Sequence, residues 1–174
     1  MAIEHAVLGL LAIEPRHGYE LSKEFAQGTV LGDIVHLEPG MLYAHLKKLE
    51  REGWVEASIE PQDSRPPRRI LQPTSTGHQE IQRWLTEPVD KTREIRLEFL
   101  LKLYLARQLR PEAAEQLIEQ QRTLCDGFIK SLESQLETEE DEFHRLVLEM
   151  RLVQNQALAR WLDQTARKMT PGAV

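Results

Sequence analysis

The sequence lacks three things: paired cysteines, a long apolar run and an excess of positive charge. The single cysteine, Cys125, excludes a disulfide framework and a cysteine-based metal site within one chain. No stretch approaches the roughly 20 apolar residues of a membrane-spanning helix. The apolar start MAIEHAVLGLLA has an early glutamate and no basic segment, so we interpret it as a first helix and not as a signal peptide. We therefore expect a cytoplasmic protein without a membrane partner.

Catalytic and metal-binding patterns are also missing from the sequence. The six histidines lie in different predicted elements, and none has a metal-ligand spacing to Cys, Asp or Glu. We find no phosphate-binding loop, dinucleotide fingerprint or nucleophile elbow. We predict a protein that is not an enzyme and that has neither a metal nor a cofactor.

The first half of the chain has the element order of a winged helix-turn-helix. Apolar residues at helical spacing predict three helices, at 3–12, 18–28 and 39–52. Alternation in 54–59 predicts a strand, and 68–72 its hairpin partner, with Pro73 ending that partner early. Thr74 then precedes a helix that carries Trp84.

The second half of the sequence predicts long helices whose apolar faces need more than one packing partner. A helix from Glu112 to about residue 138 carries two apolar stripes, and a last helix follows the acidic turn 139–142. The last helix covers one stripe, and a second copy of the chain is the simplest cover for the other. We predict a mainly α fold with a small β-hairpin wing: a DNA-binding domain in 1–88 and an α-helical dimerisation domain in 89–174. The predicted dimer residues are Leu117, Ile118, Leu124, Cys125, Phe128, Leu132, Leu146, Met150, Val153 and Trp161. For Cys125 the alternative is an exposed thiol that senses oxidants.

The third helix and the wing carry the candidate DNA-binding face. The net charge of −6 argues against nucleic acid, but phosphate binding needs only one local basic face. Leu42, Leu46 and Leu49 fall on one stripe of the helix, and Ala44, Lys47, Lys48 and Arg51 lie opposite, with Met41 and Tyr43 at the flank and His45 beside the core stripe. An amphipathic surface helix with solvated lysines is the alternative. The wing stretch RPPRR adds Arg65, Arg68 and Arg69, and together the two features favour DNA binding.

These stretches resemble the PadR family of transcriptional regulators. The matching residues are LGLL at 8–11, HGYEL at 17–21, PGMLY at 39–43, RPPRR at 65–69 and Thr74 with Gly77. EFLLKL at 98–103 and PEA at 111–113 are similar to the helical C-terminal domain of the virulence-activator-like branch. The resemblance implies a homodimeric repressor on a palindromic DNA operator, with Tyr43 on the DNA backbone and Tyr19 either near a phosphate or packed on the third helix. The predicted DNA-contacting residues are therefore Tyr19, Met41, Tyr43, Ala44, His45, Lys47, Lys48, Arg51, Arg65, Arg68 and Arg69.

The resemblance also implies release of DNA by a small aromatic or hydrophobic effector. Trp84 and Trp161 are the candidates to line its pocket, with core packing as the alternative for both. Glu38 and Arg110 stand where the family commonly has a helix-capping residue, and a carboxylate at Glu38 repels a nearby phosphate. Glu38, the acidic net charge and the Glu-rich turn slightly favour the second hypothesis, a winged-helix adaptor that binds a protein and no specific DNA. Operator binding is the leading hypothesis.

Overall fold

The computed structural model of the chain describes residues 1–60 and 68–169. Within these ranges one β-hairpin accompanies a set of helices. The elements are α1 (Ala2–Ile13), α2 (Gly18–Glu24), α3 (Val30–Ile34), α4 (Pro39–Arg51), β1 (Val55–Glu60), β2 (Arg68–Pro73), α5 (Ser75–Thr86), α6 (Leu100–Leu109), α7 (Pro111–Thr138) and α8 (Glu142–Met169). A 3₁₀ turn, Thr92–Glu94, and a π-helical turn, Ile95–Phe99, lead into α6. The predicted class, mainly α with a winged helix-turn-helix, is confirmed.

The described residues form two compact units. Met1–Glu87 and Arg93–Ala114 make the first, and Pro88–Thr92 with residues 115–169 make the second. Helix α6 packs on α1 and therefore belongs to the first unit. The functional boundary that we place after residue 88 stays a prediction.

Helix α1 is the centre of the first unit. It packs against α4, α5, α6 and β2, and Ala6, Val7 and Leu8 are fully buried. Gly9 allows α6 to come close, since a Cβ at Gly9 would lie 2.5 Å from a methyl carbon of Leu105. Burial of this apolar helix stabilises the first unit and positions α4, which packs against it.

The short helix α3 was not predicted. Helix α2 ends at Glu24, earlier than the expected residue 28. The chain turns at Gly28, whose φ of +84° suits glycine, and Thr29 then caps α3 by accepting a hydrogen bond from the Gly32 N–H at 2.9 Å.

The hairpin pairs β1 and β2 in antiparallel register, from Val55 opposite Pro73 to Glu60 opposite Arg68. Strand β2 ends at Pro73, one residue beyond the predicted range 68–72, and the missing N–H of proline is tolerated at this last position. Arg16 and Leu71 exchange two backbone hydrogen bonds, which tie β2 to the loop before α2. The connection between the strands, with the predicted contact Arg65, lies outside the described residues.

Helices α7 and α8 form an antiparallel hairpin in the second unit. Each has 28 residues, and the α7 helix ends where the sequence predicts. Asp141 caps α8 by accepting from the His144 N–H at 2.6 Å. At the far end of the hairpin, the Arg122 guanidinium donates to Asp163 at 2.7 Å. None of the helices in the described ranges has the length and apolarity to cross a membrane.

Candidate nucleic-acid interface

Helix α4 has one buried face and one exposed face. Leu42, Leu46 and Leu49 are buried, and the helix packs on α1 and α2. The opposite residues are exposed: Met41, Tyr43, Ala44, Lys47 and Arg51. Pro39 begins the helix, and the preceding Glu38 forms no capping hydrogen bond with it. The side chains opposite the leucines are therefore available to a partner.

An open cleft of about 550 Å³ lies beside this exposed face, bordered by α2, α4 and β2. Tyr19, Tyr43, Lys47 and Arg68 are among its lining residues. Gly18 leaves room for the Tyr43 ring, because a Cβ at Gly18 would lie 2.8 Å from the Tyr43 Cε1 atom. The cleft is thus lined by two phenols, by the four cations Lys23, Lys47, Arg68 and Arg69, and by the two carboxylates Glu20 and Glu50, which come from three elements.

Tyr19 does not pack into the core. Its side chain is 65% exposed, and the Lys23 ammonium lies 4.5 Å from the centre of its ring. A cation over the ring adds positive charge on the α2 side of the cleft. Of the two alternatives for Tyr19, this position favours the one in which it faces a partner.

The two described wing arginines differ in their surroundings. Arg69 forms an ion pair with Glu50 of α4, and its backbone oxygen lies 3.0 Å from the His17 ring. Arg68 is exposed, and among the described residues it forms no ion pair. The start of β2 is therefore attached to His17, just before α2, and to α4, and Arg68 is exposed beside these contacts.

Lys48 forms an ion pair that the helical projection of α4 does not predict. Its ammonium donates to the Glu4 carboxylate of α1 at 2.6 Å, and the His45 ring nitrogen Nδ1 lies 3.4 Å from the same oxygen. The Met1 ammonium lies 3.2 Å from the second Glu4 oxygen. Lys48 and His45 therefore face α1, and the DNA contacts predicted for both residues stay predictions.

Glu4 is the residue that sequence reasoning missed. It is 6% exposed. Burial raises its pKa, but the hydrogen bonds from Lys48 and from the backbone, together with the N-terminal ammonium, outweigh burial and lower the pKa to about 2. The same hydrogen bond raises the pKa of Lys48. The signal was present, because a glutamate among the apolar residues of α1 needs a cationic partner.

Trp84 is part of the core of the first unit. It is 4% exposed, stacks on His5 at 4.9 Å between ring centres and donates its N–H to Glu98 at 3.0 Å. The Lys102 ammonium lies 5.0 Å from the centre of the ring, and burial lowers the pKa of Lys102 although the Glu98 charge opposes this. Trp84 therefore packs, which differs from the predicted effector-binding role. Trp161 is 37% exposed, and its effector role stays a prediction.

The predicted dimer residues divide between the two long helices. Those of α8 are exposed: Leu146, Met150, Val153 and Trp161. Four of α7 are buried within the single chain, which differs from their predicted contact with a second copy: Leu117, Ile118, Cys125 and Leu132. Leu124 and Phe128 are half-buried. Phe143 and Val147 extend the exposed face of α8, and the prediction omitted them.

Cys125 is fully buried, and burial raises the pKa of its thiol although Gln121 and Arg122 act in the opposite direction. A buried thiol with a raised pKa has little reactive thiolate. This favours the packing role of Cys125 over the oxidant-sensing alternative. Among residues 1–60 and 68–169, no group of three or more His, Cys, Asp or Glu side chains is arranged to hold a metal ion.

Similar proteins were found by sequence. A family model described as the transcriptional regulator PadR-like family matches residues 7–83, and one described as virulence activator alpha C-term matches residues 95–170. A probable transcriptional regulator of Mycobacterium tuberculosis is 31% identical over 93 residues, which are 53% of this chain and 48% of that protein, so the chain spans about half of its length. The negative transcriptional regulator PadR of Bacillus subtilis is 29% identical over 92% of this chain and 93% of its own.

Solved structures are similar over nearly the whole chain. The Bacillus subtilis PadR structure in complex with operator DNA is 24% identical and covers 97% of this chain and 99% of its own, with a TM-score of 0.48. The smu.1604c structure from Streptococcus mutans is 26% identical, with coverage of 93% and 96% and a TM-score of 0.43. The chain therefore carries a domain of the PadR-like family of transcriptional regulators in residues 7–83, followed by a segment similar to the virulence activator alpha C-term family in residues 95–170.

Proposed function

We propose that the chain is a homodimeric repressor that binds a palindromic DNA operator through the exposed face of α4 and the adjoining cleft. The convergence of Tyr19, Tyr43, Lys47 and Arg68 on one open cleft is the observation that carries this proposal. Phenols and cations of this kind bind phosphate oxygens and fix the register of a protein on the duplex. The match of residues 7–83 to a family of transcriptional regulators supports DNA as the partner.

Helix α4 is the element that reads base edges in this proposal. Met41 and Ala44 lie on its exposed face near the N-terminal end, where recognition helices contact bases. Ala44 keeps this part of the helix slim enough for a major groove about 12 Å wide. Lys47 and Arg51 follow toward the C-terminal end, where they contact the backbone, and the wing arginines lie over the neighbouring groove.

The second copy of the chain binds the exposed face of α8. Phe143, Leu146, Val147, Met150 and Val153 recur at helical spacing and are exposed in the single chain. An apolar stripe of this length on a soluble protein marks an interaction surface. A self-complementary helix face produces a two-fold dimer, and two-fold symmetry requires a palindromic operator.

Repression and release by an effector complete the proposal. Repression is supported by the Bacillus subtilis relative, which is named a negative regulator. A small aromatic or hydrophobic effector would weaken operator binding, with the exposed aromatic Trp161 of α8 as its candidate contact. Selection of bound sites from random DNA, repeated with aromatic compounds, tests the operator and the effector together.

A salt titration tests the DNA-binding face itself. Lys47→Ala and Arg68→Ala each remove one phosphate contact, so each should lower the slope of log K against log salt by about one unit and weaken binding to all sequences. The control is Arg107→Ala, because Arg107 is an exposed arginine of α6 that does not line the cleft. Unchanged slopes for Lys47 and Arg68 would remove the cleft from the interface. A chain that shifts no DNA from the region upstream of its own gene, and binds only a protein, would be the adaptor.

A further inference from the structure

We propose that Glu4 of α1 withdraws Lys48 from the DNA-binding face and so sets how strongly α4 binds phosphate. Glu4 is then a positioning residue that acts through Lys48. This inference rests on the proposed DNA-binding function and deepens it. It predicts that two adjacent lysines of one helix, Lys47 and Lys48, make unequal contributions to DNA affinity.

The two flanks of α4 are in different surroundings. At 100° per residue, Tyr43 and Lys47 lie on the flank beside the cleft, whereas His45 and Lys48 lie on the other flank. The cleft contains Tyr43 and Lys47, and Lys47 is exposed without an ion pair among the described residues. On the opposite flank, His45 and Lys48 both contact the one carboxylate of Glu4.

The short distance between Lys48 and Glu4 and the burial of Glu4 stabilise this ion pair. The ammonium-to-carboxylate distance is 2.6 Å, Glu4 is 6% exposed and the Lys48 side chain is 32% exposed. The low pKa of Glu4, about 2, keeps the carboxylate ionised over the range in which DNA binds. If Lys48 moved to a phosphate, it would leave a buried carboxylate short of its strongest partner, which is more unfavourable than the gain from one exposed phosphate contact.

His45 makes the arrangement more than an isolated pair. Its ring nitrogen Nδ1 contacts the same Glu4 oxygen as Lys48, and the Met1 ammonium contacts the other oxygen. One buried carboxylate therefore draws two side chains of α4 toward α1. Replacing the carboxylate by an amide removes the charge that holds them and leaves Lys48 free to bind phosphate.

The test compares Lys48→Met with Lys47→Met, each in the natural chain and in Glu4→Gln. Methionine keeps the aliphatic length of lysine without its charge, so both variants change the net charge equally. DNA affinity is measured across a salt series on one selected operator. In the natural chain, we expect Lys47→Met to lower the salt slope by about one unit and Lys48→Met to leave it unchanged.

In the Glu4→Gln chain, both lysines should contribute. Glu4→Gln alone should raise the slope by about one unit, and Lys48→Met in this background should return it to the natural value. Circular dichroism at the assay temperature checks that each variant is folded. If Glu4→Gln does not fold, the comparison in the natural chain still tests whether Lys48 contributes less than Lys47 to DNA affinity.

Two outcomes overturn the inference in different ways. If Lys48→Met lowers the slope as much as Lys47→Met in the natural chain, Lys48 reaches DNA in spite of Glu4, and the DNA-binding face itself stands. If Lys47→Met also has no effect, the proposed face is wrong, and the role of Glu4 falls with it.

Discussion

Gly77 lies directly against the carbonyl oxygen of Trp54, and a Cβ built at Gly77 would be 2.0 Å from that oxygen. The same carbonyl accepts a hydrogen bond from the Thr74 N–H at 3.0 Å, and the Thr74 hydroxyl accepts from the Gly77 N–H at 3.0 Å. The first turn of α5 is thus fixed to the residue that precedes β1. No side chain fits at this contact.

Replacing Gly77 by alanine should therefore destabilise the first unit. The new methyl group meets backbone, which yields less readily than a side chain, so we expect a loss of about 1–3 kcal/mol in urea unfolding followed by circular dichroism. Gly127→Ala in α7 is the matched control, since a Cβ there meets no atom within 4 Å. Alanine in a helix interior should stabilise the chain by about 0.5–1 kcal/mol at Gly127. Equal effects of the two substitutions would contradict the close approach of Gly77 and Trp54.

The stability of the chain in acid should depend on Glu4. Its pKa is about 2 in the folded chain and 4.5 ordinarily, so the folded state favours the ionised form. The stabilisation is present above the ordinary pKa and is lost as the pH falls from 4.5 toward 2. Glu4 should contribute about 2 kcal/mol of the free energy of unfolding that is lost between about pH 7 and about pH 3.

Urea unfolding of Glu4→Gln at the same two pH values measures this contribution as the difference from the natural chain. Lys48→Met should flatten the dependence in the same direction, because the hydrogen bond from Lys48 helps to lower the pKa of Glu4. A difference between pH values that is identical in Glu4→Gln and the natural chain would exclude Glu4 as a source of acid sensitivity.

Cys125 should react slowly with thiol reagents in the folded chain. The side chain is fully buried and burial raises the pKa of its thiol, so both access and thiolate are scarce. We expect the rate with a disulfide reagent to rise at least about 100-fold on unfolding in urea, since reaction then no longer requires local opening. The free thiol of a small compound, measured under both conditions, corrects for the effect of urea. A folded chain that reacts at the unfolded rate would return the oxidant-sensing role to consideration.

Charges placed on the exposed face of α8 should separate the proposed dimer. Leu146→Glu combined with Met150→Glu removes two apolar side chains, each worth about 1.5–3 kcal/mol when buried, and should raise the dimer Kd by at least about 100-fold. Arg151→Glu, at an exposed position of the same helix, is the control that alters charge without removing apolar surface. Light scattering after size-exclusion chromatography gives the mass of each variant. If the double variant keeps the mass of the natural chain, the dimer uses another surface.

Local patterns were sufficient to predict most elements of the first unit. The leucines of α4, the proline at its start and the threonine before α5 each act within one or two turns of chain, so spacing alone reveals them. Helix α3 was not predicted because five residues are too few to show the helical spacing of apolar residues. Its marks, Gly28 and Thr29, are also typical of an ordinary turn.

Contacts distant in sequence limited the prediction of the site. A helical projection places Lys48 on a face of α4 but contains no information on Glu4, which lies 44 residues earlier. For α7, the two apolar stripes correctly indicate burial of Leu117 and Leu132, one residue from each stripe. The spacing of apolar residues does not indicate whether they pack against the same chain or against a second copy. In the structure they are buried within the single chain.

The pairing of Arg69 with Glu50 has a consequence for how such a protein searches a chromosome. Arg69 already has a carboxylate neighbour, so it gains little binding free energy from a phosphate at a random DNA site. Binding there only exchanges one anionic partner for another. Non-specific binding to DNA is thereby weakened. At a specific site, further contacts favour the replacement of Glu50 by a phosphate as the partner of Arg69. An acidic regulator of this design would leave wrong sites quickly, and its selectivity would come from rapid departure as much as from tight binding.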